Sequence, residues 1–344
     1  MISVQRIEGI VPGEPDDLFV ASTSFEAERC LAATRRLVNY RTRCAVILTL
    51  SPATTEEGER RKAEALGTML SILSRCDLSG SPRILKVGRY DFPTLHDKIS
   101  ETLRRRQIGP GPLRITCDIS CLTKVHLAFL IRQCRREWSD SNVRMLYTRP
   151  RNYNRKGSKF TRLSRGVFKP VPFPFIEEKK MENVEPRRLA IVLLGHEGQR
   201  TLSAWRRIDA EDTALFFPNS DDAKLRQKCE SENGFLLGLA RTRPGPFRVY
   251  PVEVELAAAR HRARLVLDQL TPAKRTRVSI VPFGPKPILI GVLLALLERG
   301  NLPAELMYSV PQSYNVEYSS GVHDVYMFNM RDLHEEDRSM MAIF

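Results

Sequence analysis

The chain has 344 residues with 42% hydrophobic content, enough for two domains, each with a core of its own. Its 54 Lys and Arg against 40 Asp and Glu leave a net charge of +14, which favours polyanionic partners and says nothing about fold. The longest apolar run, Ile288 to Leu297, is too short to span a bilayer. Residues 1–13 lack the charged-then-apolar order of a signal peptide, so a cytoplasmic protein with no membrane partner is expected. The seven cysteines form no CxxC pair, which argues for reduced thiols over disulfides or a zinc site. Neither a metal nor a cofactor is expected.

Strand-like and helix-like periods alternate along the first half. Strands are expected over 17–21, 44–50, 83–87, 113–119 and 143–148. Helices are expected over 25–38, 55–76, 93–106 and 123–138. The second half repeats the order, with strands over 188–194, 213–217, 247–252, 277–281 and 304–309. Its helices fall over 196–207, 222–229, 254–270 and 287–299. Residues 171–187 carry Pro172 and Pro174 ahead of a charged stretch and Pro186 after it, which reads as a linker, and residues 323–330 suit a closing strand. The expected fold is α/β: two tandem Rossmann-like parallel-sheet domains related by internal duplication, over 1–170 and 188–344.

Three short motifs recur in the same order. Ser24-Phe25-Glu26-Ala27-Glu28-Arg29 is echoed by Gly195-His196-Glu197-Gly198-Gln199-Arg200. Ser120-Cys121-Leu122-Thr123-Lys124 is echoed by Pro282-Phe283-Gly284-Pro285-Lys286. Tyr147-Thr148-Arg149-Pro150-Arg151-Asn152-Tyr153-Asn154 is echoed by Tyr308-Ser309-Val310-Pro311-Gln312-Ser313-Tyr314-Asn315. The copies lie 171, 162 and 161 residues apart, a nearly constant offset that marks a duplicated domain.

With the common strand order 3-2-1-4-5, ligands bind beyond the carboxyl ends of strands one and four, where the first two motifs sit. Lys124 and Lys286 each open a helix, where a cation is disfavoured unless an anion shares the place. Ser120, Thr123 and Gly284 supply hydroxyls or close backbone approach to such an anion. Glu26 with Arg29, and Glu197 with Arg200, form i,i+3 pairs. Thr23 with Glu26 also fits a capping box, so a local role competes with ligand contact by Ser24, Glu26, Arg29, Gly195, Glu197 and Arg200. Pro150 and Pro311 are expected to end their strands. Tyr153 and Tyr314 suit stacking on a base or packing within the fold. Arg149, Arg151, Arg155, Lys156, Lys159 and Arg162 form a basic arm in the first half only, a candidate nucleic-acid contact or a solvated surface. No P-loop, GxGxxG, HExxH or GxSxG occurs.

Asp118-Ile119-Ser120 running into Thr123-Lys124 resembles the fourth-strand motif of CARF domains, Rossmann-like sensors of cyclic oligoadenylates in CRISPR-linked defence. Gly284-Pro285-Lys286-Pro287 resembles a variant of it, and residues 22–26 and 195–198 resemble the family's other ligand-facing loop. Two halves in one chain are similar to a fused CARF pair, as in SAVED and tandem CARF proteins. Where the family has Gly-Gly-Thr-Lys, this chain has Cys121-Leu122-Thr123-Lys124. The resemblance implies a nucleotide-sensing module of a prokaryotic antiviral defence system. Its ligand would be a cyclic oligonucleotide or other phosphorylated nucleotide in a basic cleft between the halves. No effector domain is appended, so it also implies an effector protein as partner. The alternatives are a metal-independent phosphodiesterase acting on that ligand, or a nucleic-acid-binding assembly component.

Overall fold

The computed structural model describes residues 5–330, apart from 8–13, 38, 52–54, 89–91, 110, 139, 154–162, 178–185, 272–275 and 301. In chain order the first half comprises β1 (Gln5–Arg6), β2 (Leu18–Thr23), α1 (Ala27–Ala32), β3 (Arg41–Thr42), β4 (Ala45–Ser51) and α2 (Glu56–Leu73). It continues with β5 (Asp77–Leu78), β6 (Arg83–Gly88), α3 (Phe92–Arg105), β7 (Arg114–Asp118), α4 (Lys124–Glu137) and β8 (Asn142–Tyr153). Then follow β9 (Ser164–Ile176), β10 (Arg187–Leu193), α5 (Gly198–Trp205), β11 (Asp212–Asn219), α6 (Ala223–Glu232) and α7 (Gly234–Thr242). The chain closes with β12 (Phe247–Glu253), α8 (Leu256–Leu270), β13 (Thr276–Pro282), α9 (Lys286–Arg299), β14 (Ala304–Tyr314) and β15 (Ser319–Asn329).

These elements build two Rossmann-like units. The sheet of the first runs β6-β4-β2-β7-β8-β15-β1, and that of the second β12-β11-β10-β13-β14-β9. The first five strands of each are parallel and stand in the order 3-2-1-4-5, with the reversal between strands one and four. Buried β-branched and aliphatic residues make these strands, for example Leu18 to Ala21 in β2 and Leu189 to Leu193 in β10. Helix starts follow local chemistry. Thr55 caps α2 by accepting from the Gly58 N–H, with Glu56, Glu57 and Glu59 in the first turn. α9 is buried from Lys286 to Leu296, and Gly291 lets it approach the α8 backbone at Arg260.

The units do not follow a cut at residues 170 and 188. One comprises Met1–Leu163 with Ser313–Phe344, the other Ser164–Gln312. The strand after β8 therefore closes the second sheet, and the strand after β14 closes the first. β15 pairs antiparallel with β8, and β1 antiparallel with β15. The closing strand expected over 323–330 is present, but it starts at Ser319.

The expected linker is partly strand, since β9 runs to Ile176. Pro170, Pro172 and Pro174 stand at alternate positions, so their missing N–H groups all lie along one side of the strand. β9 is the outermost strand of its sheet, where that side needs no partner. Pro150 and Pro311 do not end their strands either; β8 runs on to Tyr153 and β14 to Tyr314. Pro150 is opposite Val322, where a bulge between Val322 and Asp324 breaks the regular ladder and tolerates a missing donor. α7 has no counterpart among the expected helices; Gly234 and Gly238 hide its period behind α6.

Candidate functional site

In the first unit the turns after β2 and β7 meet the end of β8 at the carboxyl edge of the sheet. Ser120 Oγ donates to Asp118 Oδ1 and accepts the Thr148 N–H at 2.9 Å, so it fastens the β7 turn to β8. Ser120 is wholly buried and this bonding uses its hydroxyl. Arg29 Nε donates to the Thr148 carbonyl at 3.0 Å, and Arg29 Nη1 meets Glu26 Oε2 at 3.0 Å. The guanidinium also lies 5.8 Å from the centre of the Tyr147 ring. Glu26 Oε1 accepts from Ser319 Oγ at the start of β15. Burial opposes the Arg29 charge, yet the Glu26 carboxylate beside it holds the guanidinium pKa above its ordinary value.

The second unit reproduces this arrangement. Arg200 Nε donates to the Ser309 carbonyl at 2.9 Å and Nη1 to Glu197 Oε2 at 2.5 Å. Arg200 lies over Phe283 at 4.6 Å and Tyr308 at 5.0 Å, and those rings stack at 5.4 Å. Glu197 Oε1 accepts from Ser164 Oγ at the start of β9. In both units the Glu–Arg pair thus joins the first helix to the fifth strand and to the closing strand. The capping box expected of Thr23 is not formed. α1 begins at Ala27, which puts Glu26 at the N-cap, and Ser24 Oγ accepts the Glu26 N–H at 3.1 Å.

Ser164 and Ser319 escaped the sequence reading, although the signal is there. Ser164-Arg165-Gly166-Val167 and Ser319-Ser320-Gly321-Val322 are a fourth repeated motif, 155 residues apart. Both glycines adopt left-handed φ, +77° at Gly166 and +68° at Gly321.

Lys124 and Lys286 are the first residues of α4 and α9, the helices that follow the fourth strand of each sheet. Lys124 is half-buried and Lys286 is buried, at 8% exposure. The two starts differ. Thr123 caps α4 by accepting the His126 N–H, whereas Pro285 gives α9 no side-chain cap. A Cβ on Gly195 would strike the Phe283 carbonyl oxygen, and one on Gly284 would lie 2.9 Å from the Leu194 carbonyl oxygen. Both glycines are therefore required where the β10 and β13 turns touch.

Tyr153 and Tyr314 each face another ring. Tyr153 lies 5.6 Å from Tyr318, and Tyr314 lies 6.2 Å from Phe25. Burial pushes the Tyr153 hydroxyl pKa upward. Arg149 and Arg151 are strand residues of β8, and Gly321 packs against the Arg151 side chain. Arg155, Lys156, Lys159 and Arg162 lie outside the described residues. No group of three or more His, Cys, Asp or Glu among the described residues is placed to hold a metal ion. No described helix is long and apolar enough to cross a membrane. No family model matches the chain, and no curated protein matches it in sequence.

Proposed function

We propose that this protein is a nucleotide-sensing module that binds a phosphorylated nucleotide at the carboxyl edges of its two sheets. The observation that carries this reading is a lysine at the first position of the helix after the fourth strand in both units. Each lysine stands where the strand order reverses, the usual ligand position in open α/β sheets. An anion there offsets the repulsion between the ammonium group and the helix dipole. The net charge of +14 agrees with a polyanionic ligand.

The resemblance to CARF domains makes cyclic oligoadenylates the first ligands to test, with an effector protein receiving the signal in an antiviral defence system. Glu26, Arg29, Glu197 and Arg200 then hold the binding edge in shape through internal bonds rather than contacting the ligand first. Titration calorimetry with cyclic tetraadenylate and with AMP is the direct experiment. Saturable binding that Lys124 and Lys286 substitutions weaken is the expected result. Unchanged affinity in both variants refutes the assignment.

A further inference from the structure

A fifth repeat lies outside the candidate site. Ala33-Thr34-Arg35-Arg36-Leu37 is echoed by Ala204-Trp205-Arg206-Arg207-Ile208, at the 171-residue offset that relates Glu26 to Glu197. Each arginine doublet follows the first helix of its unit, Arg35 and Arg36 in the helical turn Thr34–Arg36 and Arg206 and Arg207 directly after α5. The flanking Ala33, Leu37, Ala204 and Ile208 are buried, whereas Arg35, Arg206 and Arg207 are exposed and Arg36 is half-buried. Arg36 donates to the Ala32 carbonyl and Arg206 lies over the Phe235 ring. Among the described residues none of the four arginines has a carboxylate partner.

The other helix ends of the first unit match. In βαβ units the helices run against the strands, so all four end at the amino edge of the sheet, opposite the candidate phosphate position. Arg75 follows α2, Arg104 and Arg136 stand in the last turns of α3 and α4, and Arg83 opens β6. These four are exposed, and none has a carboxylate partner among the described residues. Arg106 donates to the Ser79 and Ser81 carbonyls, which fastens the end of α3 beside the start of β6. Other arginines engage the nearby acids: Arg114 pairs with Glu14, Arg144 with Asp16, Arg43 with Asp17 and Arg41 with Asp77. Glu137 and Asp140 stand near Arg136 in the chain, and neither pairs with it. One basic residue in a last turn suits the helix dipole. The dipole does not account for Arg83, which opens a strand, or for a doublet that recurs after α5.

We propose that the amino edge of the first unit binds the sugar–phosphate backbone of a nucleic acid, through charge and without reading its sequence. The parallel strands from β6 to β8 span about 19 Å, at about 4.8 Å between neighbours. A nucleic-acid strand passes about five phosphates over that breadth, at about 3.4 Å of axis each. The arginines therefore suit a polymer better than a single phosphate. Each guanidinium offers a rigid fork to phosphate oxygens and stays charged at any working pH. β2 is six residues long, about 20 Å, so no mononucleotide reaches from this surface to the nucleotide edge. The two sites are independent. Arg206 and Arg207 put a contact of the same kind at the amino edge of the second unit.

The test measures binding of the full chain, by fluorescence anisotropy, to single-stranded RNA and to duplex DNA about 20 units long, in potassium chloride from about 50 to 200 mM. Wild-type affinity should fall with salt, at a log–log slope of about −0.7 to −0.9 for each phosphate neutralised. The fourfold variant Arg75→Gln, Arg83→Gln, Arg104→Gln and Arg136→Gln should flatten that slope by about three and bind about 100-fold or more weakly at low salt. Lysine at the same four positions keeps the charges and should keep the slope. Both variants should match the wild type in melting temperature, because the four arginines hold no carboxylate. No nucleic-acid binding by wild type at low salt would overturn the proposal. So would an unchanged slope in the glutamine variant, or a lysine variant as weak as the glutamine one. Binding to phosphatidylserine vesicles in preference to both polymers would overturn it too. A slope flattened instead by joint Arg155→Ala, Lys156→Ala and Lys159→Ala substitution would move the contact to the basic arm and away from this edge. Cyclic tetraadenylate bound without either polymer sinks this inference and keeps the nucleotide reading. Polymer binding without cyclic tetraadenylate does the reverse.

Discussion

Ser319 donates its hydroxyl to Glu26, a residue 293 positions earlier in the chain. Ser164 does the same to Glu197 in the other unit. Each serine opens the strand that closes a sheet built mostly from the other half of the duplication. The carboxylate it binds also holds the arginine that grips the fifth strand. One Glu–Arg–Ser unit therefore ties the candidate ligand edge to the strand exchange, once in each unit.

Removing one partner from such a group strands the other. The Glu197 side chain is 9% exposed against 12% for Glu26, so Arg200→Ala leaves the more deeply buried carboxylate. It should cost about 3–5 kcal/mol, and Arg29→Ala measurably less. Ser164→Ala and Ser319→Ala each remove a hydrogen bond to a charged acceptor and should cost about 1.5–3 kcal/mol. Urea denaturation of the four variants gives the order, and an Arg29→Ala loss larger than that of Arg200→Ala contradicts it.

The exchange itself has a local signature. Phe328 on β15 is 2% exposed and stands opposite Met145 on β8. Phe328→Ala should cost about 3–5 kcal/mol. Hydrogen exchange should speed up in β8 and leave β14 protected, although β14 is the nearer strand in sequence. Loss of protection in β14 with β8 unchanged would rule out the exchanged arrangement.

Most of the parallel core was legible because each strand is short, apolar and separated from the next by a helix period. Ile47, Val192 and Ile280 belong to such runs. The closing strands were hidden for different reasons. β9 carries Pro170, Pro172 and Pro174, and composition alone cannot tell an edge strand with aligned prolines from a linker. The pairing of β15 with β8 rather than β14 is a long-range choice that no local period encodes. At the site, the repeated Lys124 and Lys286 were found at the helix starts where the motifs put them. Ser120, Arg29 and Arg200 were legible as motif residues, but their partners are backbone atoms at Thr148 and Ser309, which a sequence does not display.

Gly195 offers a test of the turn contact that shapes the second unit's edge. A methyl group there meets the Phe283 carbonyl oxygen, a backbone atom that cannot swing aside. Gly195→Ala should destabilise the protein by about 1–3 kcal/mol. Gly234→Ala, at a site with no atom within 4 Å of the new methyl, should be near neutral. Equal melting temperatures for the two variants would show that the turns do not pack as described.

Buried thiols give the protein an alkaline limit. Burial pushes Cys134 and Cys229 from the ordinary value of 9.0 up to about 12. It moves Cys30 and Cys117 in the same direction. In the unfolded chain these thiols ionise near pH 9.0 while the fold still holds their protons. The stabilisation is therefore complete below pH 9 and is lost as pH rises toward 12. Cys134→Ala should flatten the fall in unfolding free energy over that window, whatever its effect at pH 7. An unchanged slope would mean that Cys134 already ionises in the native state.

The lysines carry the functional reading, and their substitution separates binding from folding. Lys124→Ala removes a half-buried ammonium, and Lys286→Met keeps the apolar stem of a buried one. Loss of a charge-assisted contact should weaken cyclic tetraadenylate binding by about 1.5–3 kcal/mol, roughly 10- to 150-fold. Relief of repulsion at the helix starts should leave each melting temperature level or slightly raised. Both losses are expected, since each lysine opens the helix that follows its unit's fourth strand. Calorimetry that finds no loss at either would remove the site.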